Sequence, residues 1–413
     1  MITNWTKLRA TLRWAPAYGF QQMTRKAASG PVHLIIALAD HFEPAILPET
    51  PHLYASRSVQ EKRLEKWCRD YPRAVDRWRD AEGRSFSHTY FYPAEQYDRN
   101  VIQPLLEHCR AGWGEIEIQL HHGVKVPDNE SNTRRILIEV RDALAEQGCL
   151  SSADGAAMPR YCFVHGNFAL ANSGLGCCGV DGEMQILAET GCFADFTLPS
   201  APDPAQVAKI NALYEPVLPL GQRAPHRRGR DLERGRPPQV FPLIVEGPLM
   251  LRFSRACLRW PLPCLENSAL TGLNPPSLER LLLWRRVAIT VQGRPDWVFI
   301  KLHCHGMDPR DEAAMIGVPM LKFLQDVSEE SKRGRAFQAH YVTAREMVNI
   351  ALAACDGREG NPGDYRDYRF RLVGSRKDQA PQPSGAGAGG GGKDRQTMTR
   401  CTANERIWHS ARP

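Results

Sequence analysis

The chain lacks the short signatures of several common chemistries. It has no P-loop, no GxGxxG after a predicted strand, no GxSxG and no HExxH. Those absences exclude the phosphate-cradling, serine-elbow and helix-borne zinc-protease templates. The 12 cysteines include no CxxC pair, and Cys177-Cys178 are adjacent. Neither a thiolate zinc site nor a disulfide framework is therefore written into their spacing. No run of about 18 apolar residues exists, so no membrane-spanning helix is expected. Met1–Gln22 carries Lys7, Arg9 and Arg13 without the continuous apolar core of a secretory signal. The expectation is a cytoplasmic protein with reduced thiols. There is no internal repeat.

What is present is a globular composition. The 413 residues are 42% hydrophobic and 24% charged, enough for one large α/β domain with extras. A net charge of +7 is mild for this length and gives no reason to expect a nucleic-acid partner. Trp5, Leu8, Leu12 and Trp14 would line the apolar side of a short N-terminal helix that packs on its own domain.

Seven short apolar segments read as strands: Val32–Asp40, Ser85–Tyr92, Glu115–His121, Tyr161–His165, Ala194–Leu198, Gln239–Glu246 and Trp297–His303. Helical patterns lie between most of them, at Val59–Ala81, Asn132–Gln147, Ala205–Leu213, Leu278–Arg286, Asp311–Asp326 and Thr343–Cys355. This alternation predicts an α/β fold, an incomplete (β/α)7 barrel-like parallel sheet with surrounding helices over residues 30–356. An open doubly wound sheet is the alternative. Residues 1–29 form an N-terminal segment. Residues 223–238, with six arginines, read as an exposed loop, and the glycine-rich stretch 357–413 as a disordered tail.

Histidines gather where these strands end. The first strand runs into Asp40, His41 and Glu43, the third into His121 and His122, the fourth into His165 and Asn167, and the last into His303 and His305. In a parallel barrel all carboxyl ends open on one face. Residues two apart on a strand share a side, so His303 and His305 can meet there. One strand-end histidine is more often structural than functional, but four such segments converging on one rim suit a divalent metal. Asp40, His41, His121, His122 and His305 are the candidate ligands. Zn is the favoured ion, with Mn, Co or Fe possible. Asp40 is the candidate base and His303 the candidate acid. His165, Asn167, Asp195, Glu246 and Glu95 are candidate substrate contacts. Alternation turns Cys304 away from its flanking histidines, which argues against a thiol nucleophile.

The layout resembles the NodB-like polysaccharide deacetylases and their barrel glycosidase relatives. It is most similar to a bacterial group carrying DHFEP, LHH, FVHGN, ETGCYADFTLPSAP, GRPDW, KLHTHG and HYVTAREM. Here the corresponding segments are DHFEP at 40–44, LHH at 120–122, FVHGN at 163–167, ETGCFADFTLPSAP at 189–202, GRPDW at 293–297, KLHCHG at 301–306 and HYVTAREM at 340–347. The resemblance implies a metal-dependent hydrolase that removes acetyl groups from an N-acetylated carbohydrate. It places Asp40 as the first-strand aspartate, His121 and His122 as second-motif metal histidines, and His303 as the last-strand catalytic histidine. The chain departs from the deacetylase pattern at Asp40-His41 in place of Asp-Asp, and in having no HxxxH. His165-Gly166-Asn167 replaces the arginine motif, and Gln119 stands where histidine is expected. A glycoside hydrolase pairing Asp40 with Asp195 or Glu246, or a non-catalytic carbohydrate-binding protein, is the alternative.

Overall fold

A computed structural model describes residues 4–373 apart from 26–27, 29, 51–52, 124–126, 154–156, 175–177 and 255–261. The chain begins with α1 (Asn4–Thr24), β1 (Val32–His41), α2 (Arg57–Val75), β2 (His88–Pro93), α3 (Gln103–Arg110), β3 (Gly114–Leu120) and α4 (Glu130–Glu146). It continues through β4 (Ser151–Ala153), β5 (Tyr161–His165), α5 (Glu183–Thr190), β6 (Cys192–Asp195), β7 (Leu213–Pro216), β8 (Gly229–Asp231) and β9 (Leu243–Val245). Then come β10 (Met250–Ser254), β11 (Leu262–Glu266), α6 (Leu278–Val287), β12 (Trp297–Cys304), α7 (Glu312–Ile316), α8 (Val318–Arg333), β13 (Phe337–Val342), α9 (Ala344–Cys355) and β14 (Phe370–Leu372).

The result is a mixed α/β fold with a large, mostly parallel central sheet flanked by helices. Ten strands form that sheet in the order β12-β1-β2-β3-β5-β6-β9-β7-β8, and β13 pairs β1 off this path. β12 runs beside β1 from His33 to Asp40, while β13 takes its first half and β2 its last four residues. In that sheet only β7 pairs antiparallel, with β8 and β9. No pairing among the described residues closes the sheet into a barrel. Between β6 and β12 several strands go into antiparallel pairs, β7 with β8 and β9 and β10 with β11.

The helix expected at 205–213 does not form. The Gln206 side chain accepts from the Ser200 and Ala201 N–H groups, and both ends of the Asn211 amide bond the Leu249 backbone. Asn211 itself has a left-handed φ of 55°. Tertiary partners also take backbone groups that a helix would have paired internally: the Ala212 N–H donates to Glu246 and the Ile210 carbonyl accepts from Gln21. The arginine-rich stretch is likewise tethered rather than merely solvated. Arg223 donates to Asn172 and Gly174 carbonyls, Arg227 to Ser173, and Arg230 pairs with Glu215.

Two cores flank the sheet, and strand alternation assigns side chains to them. Leu34, Ile36 and Leu38 of β1 pack with Leu64, Trp67 and Tyr71 of α2. Ile35, Ala37 and Ala39 pack with Met347, Val348 and Ile350 of α9. β1 is buried on both sides, which is why it reads as one continuous apolar run. α9 is buried along its whole length and starts with a capping box between Thr343 and Glu346. α1 packs on its own domain through buried Trp14 and through Arg13 and Gln21, which donate to the Pro204 and Ile210 carbonyls. Leu12, expected on its apolar side, is exposed, and the side chains of Trp5 and Leu8 lie outside the described residues. Among the described residues no helix is long and apolar enough to cross a membrane.

The fold also runs further than expected. Residues 357–373 belong to it: β14 pairs with β4, and buried Arg366 binds Asp80, Glu82 and Glu346. The rest of the predicted tail lies outside the described residues. Glu82 is the hub of this attachment, accepting from His340, Asn361 and Arg366. Burial pushes its carboxyl up, but the His340 bond and then Asn361 and Arg366 outweigh it and hold the pKa at about 2. A lowered carboxyl stabilises the fold above its unfolded pKa and stops doing so as pH falls from about 4.5 toward 2. Glu82→Gln is expected to cost roughly 1–2 kcal/mol near neutrality once solvent screening is allowed for. Urea midpoints for the two proteins should converge as pH approaches 2.

Candidate metal centre

The carboxyl ends of β1 and β12 bring three histidines together. In their register Ala39 faces His303 and Asp40 faces Cys304. Directly opposed residues in a sheet share a side, and successive residues alternate. His41 and His303 therefore lie on the α9 side of the sheet, and His305 continues beyond β12 with its ring 4.9 Å from that of His41. Asp40 and Cys304 lie on the α2 side. Asp40 thus stands apart from His41 and His305 and groups instead with His88 and Cys304. One of its oxygens bonds His88 Nδ1 at 3.0 Å and the other accepts from the Gly306 N–H at 2.7 Å. It anchors the turn that carries His305. Cys304 points away from the histidines as expected.

One ligand atom from each of His41, Glu43 and His305 lies within 4.8 Å of the others. His41 is 1% exposed, and neither ring nitrogen has a hydrogen-bond partner. Burial, then the charges of His305, His303, Lys301 and His121, hold its pKa well below the usual value, so the ring is neutral. His303 is treated the same way by burial, Lys301 and His305, and its Nδ1 is also unpartnered. Burial pushes Glu43 up, but His121, His305 and Gln119 outweigh it and keep the carboxylate ionised. A neutral imidazole with a free lone pair beside an ionised carboxylate is the donor set a divalent cation takes. These residues fit a metal. Phe168 lies over His41 at 5.4 Å, held there with a left-handed φ of 60°. Such backbone strain in a non-glycine residue concentrates at functional sites.

His121 forms the neighbouring wall. Its Nδ1 bonds Glu95 at 2.9 Å, and its Nε2 lies 3.4 Å from Glu43. Burial lowers its pKa, but the bonds to Glu43 and Glu95 win and raise it to about 10. His121 is therefore held by the two carboxylates beside the metal-competent set. Gln119 donates to Glu43 at 2.7 Å, so the glutamine orients the carboxylate instead of leaving a gap. Glu95 is a partner of His121 and holds it from both its side chain and its backbone N–H. A Cβ at Gly166 would lie 2.4 Å from the His121 ring. Gly166→Ala is expected to dislodge His121 and weaken metal binding at least about 10-fold, as loss of an orienting partner does. Calorimetric titration with Zn2+ checks this.

The remaining candidates go elsewhere. His122 and His165 leave the rim and meet Glu183 on the α2 side of the sheet. Asn167 donates its backbone N–H to His165 Nδ1. Asp195 is buried, accepts twice from Thr197, and is pushed up to about 7 mainly by burial. Glu246 accepts from the Ala212 N–H and is pushed up by burial to about 8. The charges it feels are those of Lys209, Asp231 and Arg25, which line a cavity of about 520 Å³ beside α1. Glu43 was visible in DHFEP, two residues after His41, and belongs in the ligand set. Glu183 and His88 carry no spacing signal in the sequence. No protein-family model matches the chain and no curated protein matches it, so the reading of this site rests on its geometry.

Proposed function

We propose that the chain is a metal-dependent hydrolase that removes acetyl groups from an N-acetylated carbohydrate, with zinc as its favoured ion. The observation that carries the hydrolase reading is His41, a buried neutral imidazole with two unpartnered nitrogens beside Glu43 and His305. The substrate class, and the reading of the sheet as an incomplete wound barrel, come from the resemblance of DHFEP, LHH, FVHGN and KLHCHG to the NodB-like group. When bound, such an ion acidifies a water and polarises a carbonyl oxygen. His41 and Glu43 are already in the protonation states that ligation requires. His303, which the resemblance makes the catalytic histidine, stands at the rim with an unpartnered Nδ1. His121, kept charged by Glu43 and Glu95, is the group that gives a proton to the departing nitrogen. Asp40 holds His88 and the Gly306 N–H, and so helps position the turn that carries His305. Its orientation also counts against the glycosidase alternative that pairs it with Asp195 or Glu246.

The test is acetate release from N-acetylglucosamine oligomers by the purified full chain. Turnover that a chelator abolishes and Zn2+ restores supports the proposal. A protein that retains no metal and releases no acetate overturns it, and sugar binding indifferent to chelation would then favour a carbohydrate-binding protein.

A further inference from the structure

A separate ligand set lies on the other side of the strands. His122 follows β3, His165 ends β5, and Glu183 stands in the first turn of α5. One ligand atom from each lies within 4.8 Å of the others, and all three residues are buried. Glu183 Oε1 is 2.9 Å from His122 Nε2 and 3.8 Å from His165 Nε2. Four ligands held tetrahedrally at zinc bond lengths stand roughly 3.4 Å from one another. The two observed edges bracket that spacing. Asp128 bonds His122 Nδ1 at 2.8 Å, which aims Nε2 at Glu183. A carboxylate behind a histidine in this way is the usual support of a metal-binding imidazole.

Orphaned nitrogens supply an independent observation. His165 Nε2 has no hydrogen-bond partner, and neither ring nitrogen of buried His226 has one. A buried ring nitrogen without a partner is unfavourable whether it carries a proton or a lone pair. An imidazolium at His122 between Asp128 and Glu183 satisfies His122 but leaves His165 Nε2 without a hydrogen bond.

We propose that His122, His165 and Glu183 form a second divalent-metal site, structural in role and distinct from His41, Glu43 and His305. Closed, buried sets of such ligands are the form that structural zinc takes. It would tie together β3, β5 and α5. Binding requires His122 to give up the Nε2 proton it shares with Glu183. It also requires the Asn167 N–H to leave His165 Nδ1, to which it now donates at 3.2 Å.

The full chain is stripped with chelator, loaded with Zn2+ and assayed for zinc by mass spectrometry, alongside Glu183→Gln and His165→Asn, each checked for folding by circular dichroism. The expected result is one Zn2+ fewer per chain in either variant than in the parent. Equal zinc content in the parent and both folded variants overturns the site. Where the variants do not fold, Co2+ titration of His41→Ala decides. A binding step that persists with the His41 site disabled supports the second site, and its absence overturns it. Failure of the rim hydrolase reading leaves this outcome untouched, because the two ligand sets share no residue.

Discussion

Replacing His41 with leucine is expected to stabilise the metal-free protein by about 1–2 kcal/mol while lowering zinc affinity at the rim at least about 100-fold. Most substitutions of a fully buried residue destabilise. The reversed sign follows from the two ring nitrogens, which are removed from water and bonded to nothing. Leucine has a similar volume, carries no polar atom and can pack against Phe168, which already covers the ring. Urea unfolding in excess chelator measures the first effect, and calorimetric titration with Zn2+ the second. If His41→Leu lost stability in chelator, the imidazole would be a packing residue and the unpartnered nitrogens would not mark a ligand site.

The second large effect lies far from the rim. Arg345, in the first turn of α9, makes a bidentate pair with Glu115 of β3, with bonds as short as 2.6 Å. It also donates to the Arg366 and Phe370 carbonyls and to Asp367. Both partners of the pair are buried. Removing one partner of a buried ion pair leaves an uncompensated charge and costs about 3–5 kcal/mol. Arg345→Met should therefore lower the denaturant midpoint sharply and expose residues 357–373 to protease. Adding Glu115→Gln should recover part of the loss, because the orphaned charge disappears with it. A double variant no better than the single would mean that the bonds to the 366–370 backbone, not the ion pair, carry the energy.

The strands of the buried parallel core were legible almost to the residue. β1, β5 and β12 are apolar on both sides, and such strands announce themselves as unbroken runs. The rim was half legible, and Asp40 shows why. Read as the last residue of its strand, it seemed free to turn toward the histidines. The strand continues through His41, and one added residue sends Asp40 and His41 to opposite sides of the sheet. The same alternation correctly turned Cys304 away, and Asp40 is its direct neighbour in the register. His121 and His122 separate for this reason too, one to each side of the sheet.

The region between β6 and β12 was not legible. There Asn211 and Glu215 accept backbone N–H bonds from distant residues, and these partnerships leave no periodicity behind. Glu183 was missed because a lone glutamate in a helix's first turn reads as a favourable helix-dipole charge. Only the fold brings it to His122 and His165.

The central claim is that a divalent ion sits among His41, Glu43 and His305. Anomalous scattering at the zinc edge from crystals of the zinc-loaded chain tests it most directly. The account predicts a peak about 2.0–2.2 Å from one nitrogen each of His41 and His305 and one oxygen of Glu43. Zinc-saturated crystals with no peak beside His41, and with its ring nitrogens hydrogen-bonded to other protein groups, would contradict it.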